Sequence, residues 1–174
     1  MIGLERIWNE WRQPHKSKFN DWYKKAIVYD NKYHYITPYM MLVLDKNLGD
    51  YEEASAVKKD KKMIDALNDQ LKENHYQVAR VKDIVSEAKK ELYTISKKMI
   101  KYYYKINEHE YQRTFDIRLA DMIDRVLGNA NICLLGKAET RMILLCGDRG
   151  YAFLMPVTNP AGGYDFTGST IQVV

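Results

Sequence analysis

The chain has 174 residues, with 27 Lys and Arg, 23 Asp and Glu, and 46% apolar or aromatic side chains, which suits one domain with its own hydrophobic core. It contains no run of about 18 apolar residues and does not open on the basic-then-apolar profile of a signal peptide, so a cytoplasmic protein with no membrane partner is expected. Two cysteines and no Cys-x-x-Cys pair exclude a disulfide scaffold and a zinc ribbon.

The first segment, 3–11, carries Leu4, Ile7, Trp8 and Trp11 at helical spacing until Pro14 and His15 interrupt it. Phe19, Trp22, Tyr23, Ala26 and Ile27 follow at spacings of three and four, as core anchors. From Ala26 the period changes to alternation, with Asp30-Asn31-Lys32 between Ile27-Val28-Tyr29 and Tyr33-His34-Tyr35-Ile36-Thr37; this predicts a hairpin. Tyr39 to Leu44 is an apolar run of buried-strand length, with Pro38 expected at its edge or first position.

Residues 51–100 contain neither Gly nor Pro. Met63, Ile64, Leu67 and Leu71, then Val78, Val81, Ile84, Val85, Ala88, Leu92, Ile95 and Met99, predict two amphipathic helices that pack on a sheet, with a break at Asn74-His75-Tyr76. Tyr102-Tyr103-Tyr104 and Ile106 fit either a strand or the end of the second helix. Tyr111 to Ile117 alternates as a strand, and Leu119 to Leu127 is a short amphipathic helix closed by Gly128. Three strands joined by tight turns follow, at Asn131–Leu135, Arg141–Cys146 and Tyr151–Val157, the last two around Gly147-Asp148-Arg149-Gly150. The expected fold is α+β: one domain over 1–157, an antiparallel sheet with two packed helices and a helical insert at about 51–105, then a flexible tail over 158–174. Helix followed by hairpin strands occurs twice, in the first 45 residues and again over 117–157.

The net charge of +4 is uneven: 8 basic and 6 acidic residues over 1–50, 13 and 9 over 51–105, and 6 and 8 over 106–174. The middle excess, as in Lys58-Lys59-Asp60-Lys61-Lys62, has the pattern of a solvated helix face. The four histidines at 15, 34, 75 and 109 form no ligand-spaced pair, and Glu108-His109-Glu110 is expected in an exposed loop. Cys133 and Cys146 fall on adjacent strands and serve as small hydrophobes. Asp121 and Asp124 have Arg118 and Arg125 within ion-pairing distance along a helix, and no phosphate loop or nucleophile elbow is present. No catalytic residue, metal site or cofactor is therefore expected, and the chain reads as a non-enzyme. The 14 tyrosines suit sheet faces and contact surfaces.

The stretch Thr114 to Asp124, followed by Asn131 to Leu135, Arg141 to Leu145 and Gly150 to Val157, resembles the closing segment of the bacterial DNA sliding clamp family. Those clamps likewise run from strand to short helix to three strands and end in a Met-Pro-containing signature. Tyr29 to Thr37 looks like the clamp hairpin, with Pro38-Tyr39 in place of its acidic-glycine turn. The resemblance covers about half of the 174 residues, and the chain has room for one clamp-like unit. It implies weak, sequence-independent DNA contact through Arg6, Arg12, Lys16 and Lys18 on or after the first helix and Arg118 and Arg125 on the second, where Asp121 and Asp124 bring that helix near neutrality. It also implies a peptide pocket near Leu154, Met155, Pro156 and Val157, whose other role is to finish the core strand; Ile171 to Val174 is a candidate occupant in cis.

The expectation is a non-catalytic accessory in DNA replication or repair, with a protein partner, DNA as a weak second partner, and an oligomer among its assemblies. The alternative is an interaction or inhibitor protein of a phage or mobile element that blocks a host enzyme or defence factor, using its tyrosine-rich surface and lysine-rich helices.

Overall fold

The computed structural model describes residues 25–37, 40–48, 52–72, 75–92, 99–135, 142–155 and 164–171. The predicted helices before Ala26 fall outside these residues except at their end, where Lys25–Tyr29 is already a strand (β1).

β1 turns back through Asp30 and Asn31 into β2 (Lys32–Thr37). Both turn residues have positive φ, 52° and 59°, which places a type I′ turn between strands of matching twist. β2 pairs antiparallel with β3 (Met40–Leu44), the predicted apolar run; Pro38 lies outside the described residues. All five β3 residues are buried, because β3 has strands on both sides and packed layers on both faces. The second meander is β8 (Asn131–Leu135), β9 (Ile143–Gly147) and β10 (Gly150–Leu154). It joins the first through the β3–β10 pair, third strand against third strand. The repeated helix-then-hairpin pattern thus takes a geometric form: two meanders meet at one seam.

Two further strands extend this sheet where helix and helix break were expected. β4 (Glu52–Ser55) pairs parallel with β1, and β5 (His75–Arg80) pairs with β8, giving the order β4-β1-β2-β3-β10-β9-β8-β5. The segment 51–105 is therefore no helical insert: it contributes both edge strands of the large sheet as well as helix α1 (Lys58–Asp69) and helix α2 (Val81–Leu92). Tyr102 to Tyr104 belong to β6 (Met99–Ile106), which pairs with β7 (His109–Asp116). The expected tail is corrected too. Tyr164–Ile171 is a strand, β11, running parallel to β6 in a separate three-stranded sheet, so Ile171 is part of a ladder.

Alternation along the strands sorts side chains into two cores. Met40, Leu42, Leu44, Leu145, Ala152 and Leu154 face a core shared with α2, with helix α3 (Ile117–Leu127) and with β6 and β7. Met41, Val43, Leu144 and Phe153 face the other way, onto Ile64 and Leu67 of α1. Each such buried side chain contributes roughly 1.5–3 kcal/mol. Tyr29 and Tyr151 tie α1 down at two points, their hydroxyls donating to Asp65 at 2.9 Å and to Asn68 at 2.7 Å.

The β9–β10 turn seals the end of α3. Gly128, at φ 78°, donates to the Asp124 carbonyl at 2.8 Å, while the backbone N–H groups of Asp148 and Arg149 donate to the carbonyls of Gly128 and Leu127. Arg149 adds a side-chain bond to the Val126 carbonyl at 3.3 Å. Gly150 has no alternative residue, since a β-carbon there would overlap the Val43 carbonyl oxygen across the seam.

Candidate functional site: a groove beside the free edge of the large sheet

Arg6, Arg12, Lys16 and Lys18 lie outside the described residues, as do Pro156, Val157 and the side chain of Arg118. Arg125 is exposed and ion-paired to Asp121 at 3.1 Å, one helical turn away. Asp124 departs from the expected surface role. It is buried, and its Oδ1 accepts the Ala130 N–H at 2.7 Å just past the helix end. Arg80 and Asp83, at the start of α2, form a second exposed pair at 3.0 Å. Arg80 and Arg125 are thus already matched to carboxylates, which weakens any phosphate contact through these two side chains, whereas Lys82 on α2 is exposed and reaches Asn129 at 3.4 Å.

Leu154 closes the core strand: it is buried, with β3 on one side of its backbone and β9 on the other. Met155 is half-buried against the α1-side core.

An open groove of about 360 Å³ lies instead at the β4 end of the sheet. Its floor is aliphatic: Ile27 and Ile36 from the sheet, Ala54 from β4, Met63 from α1 and Val57 from the turn before α1. Lys25, Lys59, Ser55 and Asp60 form the polar rim. Val57 is 61% exposed, the one large hydrophobic in that state among the described residues. It is also the N-cap of α1, in extended conformation (φ −83°, ψ 169°). Valine has no side-chain acceptor for the helix N–H groups, so half of a capping box forms: Asp60 Oδ2 accepts the Val57 N–H at 3.1 Å.

Beside this groove Lys58, Lys59, Lys61 and Lys62 are all exposed, and none makes an ion pair with a described residue. They occupy the first turns of α1, where the helix dipole disfavours cations. The neighbouring acids are engaged elsewhere: Asp60 by Val57, Asp65 by Tyr29, and Asp69 by Lys72 at 3.0 Å. Sequence reasoning treated this cluster as a solvated face and missed the groove. The available signal was lysine density at the wrong end of a helix.

The tyrosines with described side chains mostly serve the interior. Tyr35, Tyr102 and Tyr104 are buried, and the other tyrosines with described side chains are at least half covered. Cys133 and Cys146 lie diagonally across the β8–β9 ladder, on the α1 side, and the Cys133 S–H points to the Asn131 carbonyl at 4.0 Å. The neighbouring thiol lowers the Cys146 pKa and, together with burial, pushes that of Cys133 up. Glu108, His109 and Glu110 are exposed, but only Glu108 lies in a turn, because His109 and Glu110 open β7 opposite Ile106 and Lys105; no cluster of three metal-ligating side chains exists among the described residues. No helix among them is long and apolar enough to cross a membrane. Comparison with protein-family models, with curated proteins and with solved structures finds no match for this chain.

Proposed function

We propose that the chain is a non-catalytic, clamp-like accessory of DNA replication or repair that acts through protein contacts. The observation that supports this reading is the β3–β10 seam, in which two three-stranded meanders join last strand to last strand. It gives the chain the internal doubling expected of a clamp-like unit, in the order of elements that carries the resemblance. Contact with DNA is the weaker part of the reading. The ion pairs of Arg80 and Arg125 weaken it, and the α1 lysines, which make no ion pair with a described residue, supply a sequence-independent attraction that falls with salt.

Light scattering over a range of protein concentrations, combined with fluorescence anisotropy of a labelled duplex at low and high salt, tests the proposal. Self-association, or duplex binding that salt abolishes, is the expected result. A strict monomer that leaves the duplex free at low salt overturns it in favour of the second reading, a phage or mobile-element interaction protein with the groove and the α1 lysines as its contact face.

A further inference from the structure

We infer that the groove beneath Val57 takes an extended peptide that inserts aliphatic side chains and carries carboxylates toward the start of α1. Three independent features converge on this occupant. The floor is aliphatic, formed by Ile27, Ile36 and Met63 around an exposed Val57. It has no aromatic ring, so it lacks the stacking platform that single-stranded nucleic acid uses. An apolar floor of this size holds one or two branched side chains.

The second feature is the sheet edge. Among the described residues β4 is the terminal strand of the large sheet, paired on one side with β1, and its Ala54 and Ser55 border the groove. A peptide added along its other side gains main-chain hydrogen bonds and turns alternate side chains toward the floor. Charge is the third. Lys59 lies on the rim, and Lys58 and Lys62 flank it on the first turns of α1 without an acidic partner among the described residues. The one carboxylate on the rim, Asp60, already accepts the Val57 N–H. At the opposite end of β4 the rim cation Lys25 stands in register with the exposed Glu52, with Glu53 next to it, so that end is not net positive and carboxylates are drawn toward α1. This inference concerns the groove and stands whether or not the partner belongs to replication.

The test uses the full chain and a fluorescein-labelled peptide, Leu-Val-Leu-Val-Glu-Glu-Asp. One counterpart carries Ser in place of the aliphatic residues, another Lys in place of the acidic ones, and labelled oligothymidylate serves as the nucleic-acid probe. Anisotropy at low salt is expected to give saturable binding of the parent peptide, weakened about tenfold or more in each counterpart. Val57→Ser and the double variant Lys59→Glu, Lys62→Glu are expected to weaken it to a similar degree. Val57→Ser supplies a better helix cap than valine, so its loss of binding cannot be assigned to unfolding. The inference is overturned if the parent peptide shows no saturable binding or if the serine counterpart binds equally well. Unchanged affinity in Val57→Ser, or tighter binding of oligothymidylate than of the peptide, overturns it too.

Discussion

The Tyr151 hydroxyl donates to Asn68 Oδ1 at 2.7 Å, joining β10, in the middle of the large sheet, to the last turn of α1, 83 residues earlier in the chain. Burial raises the Tyr151 pKa, and Lys32 sits over the ring, 5.8 Å from its centre. Tyr151→Phe removes the one bond that fixes the C-terminal end of α1 over Phe153, and the expected cost is about 1 kcal/mol. Tyr29→Phe removes an exposed bond to Asp65 and is expected to cost no more than about 0.5 kcal/mol. Urea unfolding of the two variants against the parent gives both numbers, and equal costs would remove the distinction.

At the other end of α1, Val57 leaves the first N–H groups without a side-chain acceptor. Val57→Ser, or Val57→Asp, should stabilise the fold by roughly 0.5–1 kcal/mol by completing the cap. A rise in the thermal midpoint checks this. A residue kept at a cap position that its chemistry suits poorly, while 61% exposed, fits a contact role better than a stabilising one.

Two buried groups set opposite limbs of the pH dependence. His34 is almost wholly buried, and its Nδ1 lies 3.2 Å from the Ile27 carbonyl oxygen, a geometry in which Nδ1 carries the proton. Burial lowers the pKa below 6.5, outweighing the Ile27 and Lys32 carbonyls. The unfolded chain therefore takes up a proton first, and stability falls as pH drops below 6.5. Tyr104 is pushed up to about 12 by burial, so there the unfolded chain loses its proton first, and stability falls as pH climbs from 10 toward 12. His34→Gln should flatten the acid limb and Tyr104→Phe the alkaline one, read as urea midpoints across pH. The Tyr104 hydroxyl has no hydrogen-bond partner among the described residues, so its removal should cost nothing at neutral pH.

The cysteine pair makes a chemical prediction. The half-buried Cys146, its pKa lowered by the neighbouring thiol, should react with iodoacetamide well before the buried Cys133. Diagonal neighbours on a ladder stand about 7–8 Å apart, beyond easy disulfide reach, so both are expected to remain thiols in air. Mass spectrometry of partly alkylated protein checks the order. Preferential labelling at Cys133 would contradict it.

The parts of the fold that were legible are those with local chemistry: the Asp30-Asn31 turn, the apolar β3 run, the Gly128 helix end and the β9–β10 hairpin. The missed elements owe their strand state to distant partners. Glu52-Glu53-Ala54-Ser55 has little β propensity and is a strand because β1 lies beside it. β5 is six residues between two helical patterns, and β11, interrupted by Gly168 and carrying Asp165, Thr167, Ser169 and Thr170, is ordered by a parallel neighbour more than 60 positions earlier. The groove was hidden for the same reason, since Ile27, Ala54 and Met63 approach one another only through long-range pairing.

The β3–β10 seam also dictates a schedule of synthesis. Met40 to Leu44 leave the ribosome more than 100 residues before Gly150 to Leu154, the strand that covers their open side. Until then the first meander presents a wholly apolar strand with one edge open, which is an aggregation hazard. Assembly of the large sheet waits on residues 131–154, so a nascent protein of this design is exposed to aggregation until the second meander arrives.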